Sequence, residues 1–299
     1  MPARLHCLAG INCAVYCQAI DLWVNNSWST IIPDSARQIA WDGPLMRLKA
    51  DGVLIAAQSQ SDKARLIAAS APHTQDDLAA LPCSFVGTCM DDSFLRIAVA
   101  LRSGLPVSTE HTCICGVVAD AYGSYALSCN KTNGRHARHS SVNDLIKKTM
   151  AIADIPSRLE PTGLSRDNGK RPNGLTLMPC ANGRSLSWDL TCSHTLATSN
   201  IDRAVRGPST VACASEGRKI SKYSNFLSSY TFIPISVETI SAVGAKTMSF
   251  FIKLGRRVRF ITNEKRSYYL LMQRLSQRGS ATPKCGRRSW FIRATPCAL

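Results

Sequence analysis

The chain has 299 residues, 45% hydrophobic and 19% charged, with a formal net charge of +16. That is enough apolar material for one large domain or two smaller ones, and it excludes a wholly disordered tail, a collagen-like repeat and a coiled-coil rod. The charge is uneven: residues 1–110 carry 8 Lys/Arg against 10 Asp/Glu, residues 111–200 carry 10 against 6, and residues 201–299 carry 18 against 4. A basic half on a near-neutral half points to a polyanion partner, with a solvated basic face as the alternative.

Residues 1–35 have weak periodicity and two tryptophans in a polar setting, Trp23 and Trp28, and no fold is assigned to them. Their most apolar stretch, residues 5–24, is interrupted by His6, Asn12, Gln18 and Asp21, which are costly in a bilayer centre or a signal sequence. Neither a membrane anchor nor export is expected. Without export, the 13 cysteines read as buried thiols plus one metal site rather than as paired disulfides.

From residue 38 to 102 the pattern is helical. Ala64, Leu66 and Ile67 fall in one short predicted helix, and Leu78, Leu81 and Pro82 close another. A third opens on Asp91-Asp92, carries Phe94, Leu95, Ile97, Ala98 and Leu101 at helix spacing, and ends at Gly104. Two adjacent aspartates could serve a polymerase, but that chemistry needs a third carboxylate and a hairpin turn. At a helix start they favour the cap and the macrodipole, so no polymerase site is expected.

Residues 111–139 are dense in Cys, His, Gly and Asn and read as a loop. Cys113, Cys115 and Cys129, followed by His136 and His139, offer the thiolate and imidazole ligands that tetrahedral zinc takes. Their spacings match no common finger, and buried cysteines near surface histidines are the alternative. Asn143 can cap a helix with Leu145, Ile146, Thr149 and Met150. Extended pieces follow at 159–163, 175–178 and 185–191, with Asn182-Gly183 a type I′ hairpin signal between the last two. A helix over 214–228, a buried strand over 231–237, and a helix over 245–260 with Met248, Phe251, Ile252 and Leu254 inward complete the series. The order helix–three strands–helix–strand predicts an α/β fold with a mixed sheet.

Facing positions of the hairpin place Asn173 near Asp189. Mg²⁺ prefers hard oxygen ligands, usually carboxylates, so a phosphodiesterase would want an acid at both. Here Asn173 offers only a neutral carbonyl oxygen, and ordinary hairpin residues are the alternative. Lys219 and Lys222 share one face of the next helix. A lysine near a scissile phosphate can stabilise developing charge or orient water, against a solvated face as the alternative. Lys253, Arg256, Arg257, Arg259, Lys265 and Arg266 can track a phosphate backbone, with Tyr268 and Tyr269 nearby for stacking.

Several short motifs follow one another in order. They begin with Trp41-Asp42-Gly43-Pro44-Leu45, Leu101-Arg102-Ser103-Gly104-Leu105-Pro106, Cys113-Ile114-Cys115-Gly116 and Leu127-Ser128-Cys129. Gly134-Arg135-His136, Arg138-His139, Asn143-Asp144, Glu160-Pro161, Gly163-Leu164 and residues 169–174 come next. Trp188-Asp189, Lys222-Tyr223, Glu238-Thr239 and Leu254-Gly255-Arg256-Arg257 close the series. Over residues 36–278 it resembles the C-terminal region of non-LTR retrotransposon polyproteins, in which a cysteine–histidine zinc motif and a restriction-endonuclease-like domain follow the reverse transcriptase.

The resemblance implies a small helical region at 36–110, a Cys/His zinc-like motif at 111–140 and a restriction-endonuclease-like domain at 141–278. Residues 1–35 and the basic tail 279–299 fall outside it. In that family a Pro-Asp pair and an Asp or Glu on the next strand bind the divalent ion that cuts target DNA to prime reverse transcription. The pair falls on Pro172-Asn173 and the second acid on Asp189, with Glu160 a further candidate acid. The family lysine falls on Thr191, so Lys222 is the candidate substitute. The zinc pattern falls on Cys113, Cys115 and Cys129, with its histidine position on Tyr125, which leaves His136 or His139 as fourth ligand.

A ligand is thus missing from each site, as in a decayed, truncated element copy. What that implies is a catalytically degraded pseudoenzyme with residual binding of DNA or RNA through Lys219, Arg256, Arg257, Lys265 and Arg266. Zinc would be structural, Mg²⁺ the ancestral and weakened cofactor, and the location intracellular and nuclear. Two other readings stand beside it: an active Mg²⁺-dependent endonuclease using Asp189, Glu160 and Lys222 with Asn173 as a neutral ligand, and a zinc-containing nucleic-acid-binding module with no catalytic role.

Overall fold

The computed structural model describes residue 25 and residues 38–280, apart from 114, 130, 132, 163, 165–170, 181–182 and 225–228. The expectations for the apolar stretch 5–24, Trp23, Trp28, Asn182 and nearly all of the 279–299 tail lie outside the described residues. No described helix is long and apolar enough to cross a membrane. The chain divides into two units, Met1–Ser59 and Gln60–Leu299. The first contains helix α1 (Gln38–Ala56). Residues 60–110 fall within the second unit.

In the second unit α2 (Gln60–Ala69) buries Ala64 and Ala68. The helix expected to close at Leu78–Pro82 is a run of turns, and Leu81 is 82% exposed, so there is no apolar face to hold a helix. Asp91 then caps α3 (Asp92–Ser103), its carboxylate accepting from Phe94 N–H at 2.7 Å, and Gly104 ends it at φ +70°. Only a residue without Cβ takes that left-handed turn cheaply. Arg102 from α3 donates to the buried Asp77 carboxylate at 2.8 Å, which also accepts from Ser276 and Ser280. A charge this deep persists because every lone pair has a donor.

A two-stranded hairpin, β1 (His111–Thr112) with β2 (Val118–Ala119), and the short α4 (Ser124–Ser128) follow. Helix α5 (Asn133–Ile152) begins ten residues before Asn143. Asn143 is therefore not a cap; its side-chain oxygen accepts from the buried Trp188 Nε1 at 3.1 Å. It also follows that His136 and His139 stand on a helix, not in the cysteine loop.

The sheet runs β3 (Ser157–Leu159), β4 (Gly174–Thr176), β5 (Leu186–Ser193) and β6 (Thr231–Glu238), in that spatial order. The first two pairings are antiparallel and the third parallel. Between β5 and β6 lie α6 (Thr198–Ala204) and α7 (Thr210–Lys222), and after β6 come α8 (Ala245–Thr262) and α9 (Ser267–Gly279). The α/β fold with a mixed sheet is as the sequence predicts, and the expected hairpin pairing forms, with Gly174 opposite Trp188.

Strand β5 is buried on both faces. Leu186, Trp188 and Leu190 join a core with Ile146 and Met150 of α5, Phe251 and Leu254 of α8, and Met272 and Leu275 of α9. Its other face turns to α7, where Ser193 Oγ meets Ser215 Oγ at 2.9 Å. Gly174 lies flat on the indole: a Cβ there would come within 2.0 Å of Trp188. Gly174→Ala is therefore expected to destabilise the protein by about 2 kcal/mol through overpacking. A lower urea midpoint with an unchanged slope would show it.

Two buried glutamates hold helix starts. Ser209 precedes α7 with no side-chain cap, and the Glu238 carboxylate at the end of β6 accepts instead from Ala212 N–H at 2.9 Å. Gly244 precedes α8, likewise without a side-chain cap, and Glu216 of α7 accepts from Thr247 N–H at 2.8 Å and Lys246 N–H at 3.1 Å. Each carboxylate satisfies orphan donors and opposes the positive end of the helix dipole.

Candidate functional site

Strand β4 ends at Gly174, so beyond Trp188 the near edge of β5 loses its backbone partner. Asn173 fills the gap with its side chain, its Oδ1 accepting from Leu190 N–H at 2.6 Å. On the other side its carbonyl accepts from Glu160 N–H at 2.8 Å. Asn173 therefore stands just outside β4, its side chain bonded to β5 at the residue after Asp189.

Asp189 is 4% exposed and points to α7. Lys219 donates to its Oδ2 at 2.6 Å, and Lys222 lies at 3.6 Å from the same oxygen. Both lysines meet the acid, Lys219, which the sequence places on phosphate, more closely than Lys222. Both belong to one helix face, and the height of β5 against α7 selects the nearer. Lys222 also donates to Tyr223 Oη at 3.0 Å. Glu160 is turned to solvent in an ion pair with Arg171, so it is not gathered to Asp189.

A cavity of about 620 Å³ opens at this notch. Its walls include Arg135, His136 and His139 from α5 and Arg218, Lys219 and Lys222 from α7. The two histidines offered as zinc ligands are here, beside Asn173 and Asp189. Burial holds His139 below the usual histidine range, while Leu190, Asp189 and Asn173 pull the other way. Thr191, at the position of the family lysine, lines the cavity with a buried Oγ1 that has no hydrogen-bond partner among the described residues. Arg135 and Arg218 were not singled out from the sequence as site residues. The i, i+4 spacing of Arg135 with His139 and of Arg218 with Lys222 is the signal that finds them.

The cysteines converge separately. The sulfurs of Cys113, Cys115 and Cys129 all lie within 4.8 Å of one another and could hold a metal ion. Cys129 Sγ is 3.8 Å from each of the other two. No histidine joins them among the described residues. Tyr125 does: its hydroxyl is hydrogen-bonded to Cys115 Sγ at 2.8 Å. That bond brings the Cys115 thiol down to about 7 and raises the Tyr125 phenol. The described cysteines outside the cluster are also free thiols.

The remaining basic candidates lie elsewhere. Arg256, Arg257, Lys265 and Arg266 are exposed on α8 and the turn after it. Arg257 also donates to Ala153 O at 3.2 Å, and Arg266 pairs with Glu264 at 3.7 Å. Tyr268 packs partly buried against the core, with its hydroxyl 3.0 Å from His73 Nε2; Tyr269 is exposed. Compared with protein-family models and with curated proteins, the chain matches none of them.

Proposed function

We propose that the chain is a retrotransposon-derived, endonuclease-like protein whose cutting site is degraded and which retains binding to nucleic acid, DNA or RNA, inside the nucleus. One observation carries this: the loop before β4, strand β5 and helix α7 bring Asn173, Asp189 and Lys219 to one notch of the sheet. A phosphodiesterase needs an acid, a second acid and a cation at such a point, and one of the acids is an amide. The exposed cations of α8 and the following turn can still neutralise phosphates, which requires no intact metal site.

The ion of the cysteine cluster we read as zinc, in a structural role. Tetrahedral zinc bonded to sulfur at about 2.3 Å sets neighbouring sulfurs about 3.8 Å apart, and Cys129 stands at 3.8 Å from both partners. Mg²⁺ does not fit the notch: Asn173 Oδ1 is engaged by Leu190 N–H, and Asp189 is paired with two ammonium groups.

Incubated with supercoiled plasmid and Mg²⁺ or Mn²⁺, the protein is expected to nick negligibly, and Asn173→Asp to restore partial cutting at most. Efficient nicking by the unaltered chain would establish instead an active endonuclease, with Lys219 as its lysine. Absence of DNA and RNA binding at low salt would remove the binding function.

A further inference from the structure

We infer that the cavity between α5, β5 and α7 takes a phosphate group with no divalent cation, the Lys219 ammonium standing where a metal-dependent nuclease would hold its ion. This rests on the nucleic-acid binding proposed above and names where, and by what chemistry, a phosphate is held. Charge decides the preference. Four cations, Arg135, Arg218, Lys219 and Lys222, line the cavity, no acid lines it among the described residues, and Asp189 beside it is paired with two of the four. A divalent cation entering this field meets a net positive surface and the imidazoles of His136 and His139 with no lining carboxylate among the described residues, whereas an anion meets charge-assisted donors on two walls.

The wall supplies a further donor. The Thr191 hydroxyl is buried, lines the cavity and has no partner among the described residues. A buried hydroxyl left unpaired is costly, and rotation about χ1 would turn it from the protein interior onto a phosphate oxygen in the cavity. At about 620 Å³ the cavity has room for a nucleotide-sized ligand. Arg218 is already oriented, donating to Ser215 Oγ at 2.7 Å.

The test uses the whole chain with three probes: inorganic phosphate, a fluorescent DNA duplex, and Ca²⁺ alone. Binding is followed with chelator present and with Mg²⁺ present, for the parent, for Thr191→Val, and for the Arg135→Gln, Arg218→Gln pair; Lys147→Gln, exposed on α5 and outside both the cavity and the α8 cations, serves as the control. The expected result is phosphate binding that survives chelator and is lost in the Arg pair. DNA affinity should be equal with chelator and with Mg²⁺, and the salt slope should fall by about 1 for each cavity cation removed. Stoichiometric Ca²⁺ binding that depends on Asp189, or DNA binding strengthened by Mg²⁺, overturns the inference. So does DNA binding that the Arg pair leaves unchanged, with nucleic-acid binding itself still standing. Phosphate binding in the cavity without DNA binding does the reverse, keeping the anion site and removing the nucleic-acid function.

Discussion

Acidification from pH 7 to pH 4 is expected to lower the unfolding free energy by about 3 kcal/mol through His194 alone. The imidazole is 7% exposed, and its Nε2 is buried with no partner among the described residues. Burial first, and the Arg138 guanidinium second, hold its pKa down to about 4, against a smaller pull from Asp120. An unfolded histidine titrates near 6.5. Between those two values the unfolded chain binds the proton and the folded chain refuses it. Stability is therefore intact above about pH 6.5, falls as the pH drops, and levels off below about pH 4. His139, also held down by burial, acts in the same direction. Denaturant titrations across this range should show the parent losing stability faster than His194→Gln, and parallel profiles would refute the assignment.

Tyr125→His is expected to tighten zinc binding at least about tenfold, because it turns a three-thiolate site into a closed four-ligand one. The tyrosine hydroxyl already lies 2.8 Å from Cys115 Sγ, so position 125 is aimed at the cluster. An imidazole there replaces a phenol whose pKa the thiols raise further, and which is therefore a poor donor of phenolate. Competition with a chromophoric chelator measures the change, and the visible bands of the cobalt-substituted protein report whether nitrogen has joined the sulfurs. Cys129→Ser should weaken binding in the same assay. Unchanged affinity in Tyr125→His would place the fourth ligand elsewhere.

The order of elements was legible because burial imposes periodicity: Phe94, Ile97 and Leu101 mark α3, and the alternation in β5 and β6 marks the sheet. Asp91 was readable as a cap because its chemistry is local. The start of α5 was not, because its first turns carry cavity residues in place of an apolar stripe, and a functional face hides a helix from a hydrophobic pattern. Helix α9 was missed for a related reason: Leu271, Met272 and Leu275 follow a basic run that draws the eye to phosphate. Periodicity gave the face of α7 that meets Asp189 but not which lysine on it is nearer, since that depends on how far the helix slides along β5. Nor could the sequence say that His139 meets Asn173 rather than the cysteines, a matter of tertiary placement alone.

Helix α7 is anchored through groups that take no part in the cavity. Glu238 grips its first turn, and Glu216 on its own surface grips the start of α8, while Arg218, Lys219 and Lys222 face the cavity. Fastening and chemistry are thus divided among different side chains of one helix. Substitution at the cavity face leaves both clasps closed, so the architecture can persist while the cavity changes. The reverse does not hold. Loss of either glutamate would free a helix end and carry the cavity cations away with it.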